Sequence, residues 1–342
     1  MKINCVSNSS NLLEVTKDHI VGDLRKIGIN KGDHLAVTLS FKSIGFVKGG
    51  PDAFIDALLE TVGPDGTIMM NTFTLAFPLS EIRSDYIFDP KSTVSYTGLV
   101  PETLRKRKDS LRSQHPINSV AAIGKLAKYL TEGHDENSSP FMPYSKLAQI
   151  GGKYLCIGIG NRLVGIRHEA QYRAGLFVVP FLIGTKYRNE KGEIKFFFGK
   201  GVPCIEKLPD MVPTLEKMGI MKRGKIGMAS SILAYAGELI DAMAEMLKKN
   251  PTLNLCDNIL CLQCRELERR MNLYERIENP KLFQKSILMR KIIALRNGFL
   301  LKRYNQTSFG NSKGKKVAKR TRFNLSKIFD TVVATISRIL NR

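Results

Sequence analysis

Apolar residues recur at helical spacing over residues 16–28. Ile20, Val21, Leu24 and Ile27 share one face, with Thr16 placed as a cap and Gly28 as a stop. Residues 34–39 then read His-Leu-Ala-Val-Thr-Leu, a run suited to a strand buried on both faces. A loop rich in glycine and serine follows over residues 40–50. Pro51 opens a helix at its favoured first position, and Phe54, Ile55, Leu58 and Leu59 line one side of residues 52–62. The turn Gly63-Pro64-Asp65-Gly66 leads into a second strand over 67–70. This strand–loop–helix–strand unit is the signature of an α/β sheet.

The pattern continues in the same vein. A short basic helix begins near Thr97 and ends near Asp109, and a polar loop from Arg112 feeds a buried strand of small residues ending at Gly124. Helices are predicted over 125–131 and 141–150, and an apolar strand over 151–160 ends in a glycine turn. A helix opens at His168. Residues 176–184 and 194–198 are candidate strands, joined through a hairpin turn at Glu190-Lys191-Gly192. Ile226, Ile232, Leu233, Leu239, Ile240, Met243 and Leu247 predict one amphipathic helix over 225–249.

Charge divides the chain. Of its 342 residues, 53 are Lys or Arg and 31 are Asp or Glu, a net of +22. Residues 281–342 hold 16 of the bases against the single acid Asp330, so residues 1–280 carry a net of only +7. The expected organisation is therefore a catalytic domain over 1–280 and a basic amphipathic extension over 281–342. Within the extension, 282–304 and 323–340 have helical apolar spacing, and 310–322 is a polybasic linker. Such a segment suits an anionic membrane surface, with docking on a partner protein as the alternative. No recognition motif points to nucleic acid. No apolar run reaches the roughly 20 residues that span a bilayer.

Six cysteines, Cys5, Cys156, Cys204, Cys256, Cys261 and Cys264, accompany a start without an apolar signal-like stretch. The expectation is a cytoplasmic protein with reduced thiols, peripheral at the inner membrane face if the extension binds there. Cys261-Leu262-Gln263-Cys264 with Cys256 resembles half of a zinc site, but no second pair follows. Structural thiols are the expectation, and no metal.

Candidate chemistry gathers at two places. The first is His168, delivered to the mouth of a helix by a strand that ends in small residues, a common way to hold a base above a sheet. Capping or packing is its plainer role. The second is the loop 40–50, whose glycines let backbone N–H groups approach a phosphate, with Lys42 and Lys48 inside it. It is neither a P-loop nor a dinucleotide fingerprint, and an ordinary glycine-rich loop is an equal alternative. His115, held extended before Pro116, either lines the site or is satisfied within its loop.

Taken together, these stretches resemble the aminoglycoside 3-N-acetyltransferase family. The resemblance rests on Phe41-Lys42-Ser43-Ile44-Gly45, Val47 and Gly49-Gly50-Pro51; on Val62-Gly63 with Gly66-Thr67; and on Gly98-Leu99 with Pro101-Glu102. It rests further on Arg112-Ser113, His115-Pro116, Ser119, Ala121-Ala122 and Gly124; on Ser139-Pro140; on Lys146-Leu147 with Gly151-Gly152; and on His168, Ala170 and Tyr172. Order and spacing agree from about residue 16 to about residue 250. The resemblance implies an α/β fold with a central mixed β-sheet flanked by helices, acetyl-CoA as co-substrate and an amino group on a sugar as acceptor. It makes His168 the general base, and puts Ser40, Lys42, Ser43, Gly45, Val47, Arg112, Ser113 and Ser119 against the coenzyme.

Two departures bear on the acceptor. The family reads Thr-x-x-His-x-x-Glu here, and this chain has Gly165 and Gln171 at the outer positions. Gln171 can orient an imidazole but cannot attract a polycation. Glu169 carries a carboxylate but points elsewhere on the helix. The first strand also ends Thr38-Leu39-Ser40 where the family has His-Ser-Ser. The expectation is an N-acyltransferase with His168 and Gln171 as catalytic residues, acting on an amino sugar of surface-glycan synthesis. The alternatives are an aminoglycoside 3-N-acetyltransferase conferring antibiotic resistance, and a non-catalytic scaffold that keeps the fold.

Overall fold

A computed structural model describes residues 14–78, 85–176, 182–200, 206, 208–258, 260, 261, 264, 265 and 268. The chain divides into two compact units, Met1–Cys256 and Asp257–Arg342. The two segments and linker expected within 281–342 lie outside the described residues, and so does the contact expected there with a membrane or a partner.

In the first unit the elements follow the hydrophobic pattern closely at the start. β1 (Glu14–Val15) leads into α1 (Lys17–Ile27). Thr16 caps α1 by accepting from the His19 backbone N–H, and His19 Nδ1 accepts in return from the Thr16 N–H. Gly28 ends the helix at φ 114°, a conformation open mainly to glycine. β2 (His34–Leu39) is followed by a tight turn, β3 (Phe46–Val47) and α2 (Gly50–Val62). Next come β4 (Thr67–Asn71), the short strands β5 (Phe77–Pro78) and β6 (Ile87–Phe88), and α3 (Leu99–Lys106). β7 (Leu111–Arg112), β8 (Val120–Gly124), α4 (Ala127–Thr131) and α5 (Met142–Gln149) lead to β9 (Lys153–Ile157) and α6 (Ile166–Arg173). The unit closes with the hairpin β10 (Leu182–Arg188) and β11 (Ile194–Lys200), then α7 (Val212–Lys217), β12 (Met221–Ile226), β13 (Ala229–Tyr235) and α8 (Ala236–Lys249).

Seven strands form one mixed sheet in the order β12-β13-β9-β2-β4-β8-β7. Its centre, β9-β2-β4, is parallel, and every other pairing in it is antiparallel. Alternate side chains Leu35, Val37, Ile68, Met70, Leu155 and Ile157 join Ile20, Leu24, Phe54 and Leu58 of α1 and α2 in one buried core. Each such side chain, fully buried, contributes on the order of 1.5–3 kcal/mol. The carboxyl ends of the three parallel strands, at Leu39, Asn71 and Ile157, fall on one edge of the sheet, where α/β folds place their ligands.

The region 225–249 corrects the sequence reading. Helical spacing fits only its second half, α8. The first half is β13, which pairs with β9 from Ser231 opposite Ile157 to Tyr235 opposite Lys153. A turn at Gly227 (φ 56°) separates it from β12, which hydrophobic spacing did not reveal. Pairing with a fully buried strand outweighs the helical spacing of Ile226, Ile232 and Leu233.

Candidate active site

α6 begins at the carboxyl edge of the sheet, after a constrained loop. Gly158 has φ 65°, and a Cβ on it would fall 1.7 Å from Ser43 Oγ, so the turn after β9 and the loop 40–50 touch only because that residue is glycine. Leu163, buried, also takes a positive φ of 43°, a strained setting for a leucine. Two hydroxyls grip the next peptide. Tyr154 Oη donates to the Val164 carbonyl at 3.0 Å while Thr38 Oγ1 lies 2.7 Å from Tyr154 Oη, and Tyr144 Oη approaches the same carbonyl at 3.4 Å.

His168 is therefore carried on a fixed helix start. It is buried, its ring lies 4.9 Å from that of Phe141, and its Nδ1 is 2.7 Å from Gln171 Oε1. An amide oxygen only accepts, so the proton sits on Nδ1 and the basic lone pair on Nε2. Burial, and then the charge of Arg167, push the imidazole pKa down to about 3, with the bond to Gln171 opposing. His168 is thus a neutral imidazole at neutral pH. Glu169 is committed elsewhere: its Oε1 accepts from Ser145 Oγ and from Arg173 Nε at 3.1 Å, and Arg173 Nη1 reaches Asp241 at 2.6 Å. These bonds tie α6 to α5 and α8.

The missing side chain at 165 has a physical explanation. Gly165 has φ 84°, and a Cβ there would lie 2.2 Å from Tyr144 Oη and 2.5 Å from its Cζ. The phenol fills the space that another residue's side chain would need. Its hydroxyl donates to Asn71 Oδ1 at 2.9 Å, while Asn71 Nδ2 is buried without a hydrogen-bond partner among the described residues.

The residues expected to hold the coenzyme divide into two groups. In the loop, Ser40 N–H donates to the Ile157 carbonyl and Ser43 Oγ to the Ser40 carbonyl, so both brace the turn. Lys42 is exposed, while Lys48 pairs with Glu14 at 2.9 Å. Gly45 has φ 102°, and the Val47 side chain is buried in the core while its strand pairs with β1 at Val15. Arg112, Ser113 and Ser119 make hydrogen bonds within the chain. Arg112 donates to Ser119 Oγ, to the carbonyls of Thr93, Pro90 and Thr72, and stacks over Phe88. Ser119 Oγ donates to the Thr72 carbonyl, and Ser113 Oγ meets the Val120 N–H and His134 Nδ1. His115 is likewise enclosed, accepting from the Ile117 and Asn118 N–H groups, with burial lowering its pKa to about 4. These side chains join β4, β7 and β8 to one another.

A buried neutral imidazole at a helix start, a glycine-braced loop and a parallel-strand edge meet in this unit. Comparison with known proteins decides the family. The sequence model described as aminoglycoside 3-N-acetyltransferase matches residues 36–248. The chain belongs to the aminoglycoside 3-N-acetyltransferase family. It is 32% identical over 176 residues to aminoglycoside N(3)-acetyltransferase VIII of Streptomyces fradiae, covering 47% of this chain and 62% of that enzyme. It is 29% identical to aminoglycoside N(3)-acetyltransferase III of a Salmonella species, over 69% of this chain and 92% of that one. Among solved structures, aminoglycoside acetyltransferase AAC(3)-Xa superposes with a TM-score of 0.61 at 27% identity, over 69% of this chain and 93% of that one. The YokD protein of Bacillus subtilis gives 0.61 at 26%, over 69% and 94%. The mixed sheet flanked by helices is thus the fold of the aminoglycoside 3-N-acetyltransferase family, and the acyltransferase class comes with it.

Asn71, Tyr144 and Arg167 were not singled out by the sequence. Gly165 was the one signal available, since a lost side chain in a buried site implies that something else occupies its volume.

Proposed function

We propose that this family member transfers the acetyl group of acetyl-CoA to an amino group of an aminoglycoside, with His168 as general base. The observation that carries this reading is the His168–Gln171 bond, which fixes the tautomer that leaves Nε2 basic. The amine nitrogen adds to the thioester carbonyl as Nε2 takes its proton, and collapse of the adduct expels the thiolate of coenzyme A. The low basicity of the buried imidazole means that proton transfer accompanies C–N bond formation rather than preceding it. The loop 40–50 is the reading's coenzyme-binding element, through its main chain and Lys42.

A second reading, an amino-sugar acceptor with an anionic substituent, is favoured by one observation. The acceptor-side position holds neutral Gln171, the buried carboxylate of Glu169 is paired with Arg173, and the buried cation Arg167 adjoins His168. Thiol release from acetyl-CoA, measured with a panel of aminoglycosides and of phosphorylated or carboxylated amino sugars, tests both. Turnover with aminoglycosides supports the first reading, and turnover confined to the anionic sugars supports the second. Coenzyme binding without turnover on either set leaves the scaffold alternative standing.

A further inference from the structure

Arg167 precedes His168 in α6 and is 4% exposed. Other enclosed Lys and Arg side chains among the described residues of this unit are compensated. Lys153 Nζ pairs with Asp33 at 2.6 Å, Arg105 with Glu102 at 2.7 Å, and the Arg112 donors all meet oxygens. Among the described residues the Arg167 side chain makes a single hydrogen bond, from Nη1 to the Arg162 carbonyl, and no ion pair. Its Nε is buried with no partner. Burial weakens its hold on its proton, and Glu206 acts on it only as the smallest of five influences. A guanidinium left this way is costly in a folded chain, and a bound anion relieves the cost. A second orphaned donor, Asn71 Nδ2, belongs to the residue that accepts from the Tyr144 hydroxyl, which fills the Gly165 space two residues before Arg167.

We propose that Arg167 is the anion-binding group of this site, its guanidinium taking a negatively charged oxygen of a ligand bound beside His168. The inference rests on the acetyl-transfer reading. Two sources offer such an oxygen. One is the acetyl carbonyl: as the acceptor nitrogen bonds to its carbon, the C=O π pair moves onto oxygen, and His168 holds the proton from nitrogen until the thiolate leaves. The other is a phosphate or carboxylate that the acceptor carries permanently. Arginine suits either role, since its fork remains charged and matches such oxygens in a plane.

Full-length R167M and R167K test the assignment through melting temperature, coenzyme A affinity and steady-state kinetics. With R167M, the melting temperature stays level or rises because an uncompensated charge has gone, while coenzyme A, which lacks the acetyl oxygen, binds as before. If the oxygen is the acetyl one, kcat falls on the order of a hundredfold with every acceptor and KM holds. If it belongs to the acceptor, KM rises at least about tenfold for anionic amino sugars and not for polycationic ones. R167K recovers part of either loss. The proposal is overturned if R167M keeps kcat and KM for both acceptor kinds within about threefold of the parent. It is equally overturned if stability and coenzyme affinity fall together with the rate, since Arg167 is then only a brace. Should the parent release no thiol from any pair, the transfer reading itself fails. The 15N–1H signal of Arg167 Nε, titrated with inorganic phosphate, then decides for the guanidinium alone: a saturable shift supports it, and no shift at any concentration the fold tolerates overturns it.

Discussion

His168 Nδ1 lies 2.7 Å from Gln171 Oε1, one turn along the same helix, so the imidazole is oriented by a neutral amide. An amide fixes the ring and its tautomer without supplying the charge that would stabilise an imidazolium. Replacing Gln171 by leucine removes the orientation and lowers kcat about 10- to 100-fold, while coenzyme A affinity is unchanged. Steady-state kinetics with a calorimetric coenzyme titration check this.

The same pair sets a pH dependence. With the His168 pKa near 3, the kcat/KM profile shows no acid limb from this group above about pH 4. Q171E places a carboxylate against Nδ1, raises the imidazole pKa and brings such a limb into the measurable range. A pH–rate profile of both proteins makes the comparison. An acid limb near 6.5 in the parent enzyme, beyond what the acceptor amine itself explains, contradicts the buried-imidazole account.

Gly165 and Tyr144 form an interlocked pair. G165T puts a β-branched residue at φ 84° and drives its Cβ into the phenol ring, so a loss of about 2–4 kcal/mol is expected in urea denaturation. Y144A in the same chain relieves the steric part and leaves the backbone part, so the double variant is more stable than the sum of the single changes predicts. Strict additivity contradicts the contact.

Buried histidines make the fold acid-sensitive. The folded pKa values of His168 and His115 are about 3 and about 4, both depressed by burial, and that of His134 is also well below its usual value. Between those values and about 6.5 the unfolded chain binds the extra protons. The stability these groups provide is therefore complete above about pH 6.5 and declines as pH falls, by up to about 1.4 kcal/mol per pH unit for each. It is gone once the folded values are reached. Denaturation midpoints from pH 7.5 to 4.5 check the slope, and H115N reduces it by the share of one proton.

The sequence revealed the parts of the molecule in which local pattern and tertiary role coincide. The strands at 34–39, 67–71 and 153–157 are apolar on both faces because helices cover both faces, and α1 and α2 carry their own caps. Residues 225–235 were misread because helical and strand spacing overlap in a short apolar run, and only the pairing with β9 separates them. The contact of His168 with Gln171 was legible, since the two stand one helical turn apart. The contact of Asn71 with Tyr144 was not, since the two are 73 positions apart and meet only in the fold. Arg112, Ser113 and Ser119 were visible as a motif, but the carbonyls of Thr72, Pro90 and Thr93 that Arg112 meets come from other parts of the chain and appear only in the fold.

The central claim is that His168 is the base of an acetyl transfer. Thiol release from acetyl-CoA by H168N, with the best acceptor of the parent enzyme, tests it most directly. The account predicts a fall in kcat of about 100- to 10,000-fold at pH 7.5, with the KM for acetyl-CoA and the melting temperature close to those of the parent. A folded H168N enzyme that keeps kcat within about threefold would contradict it.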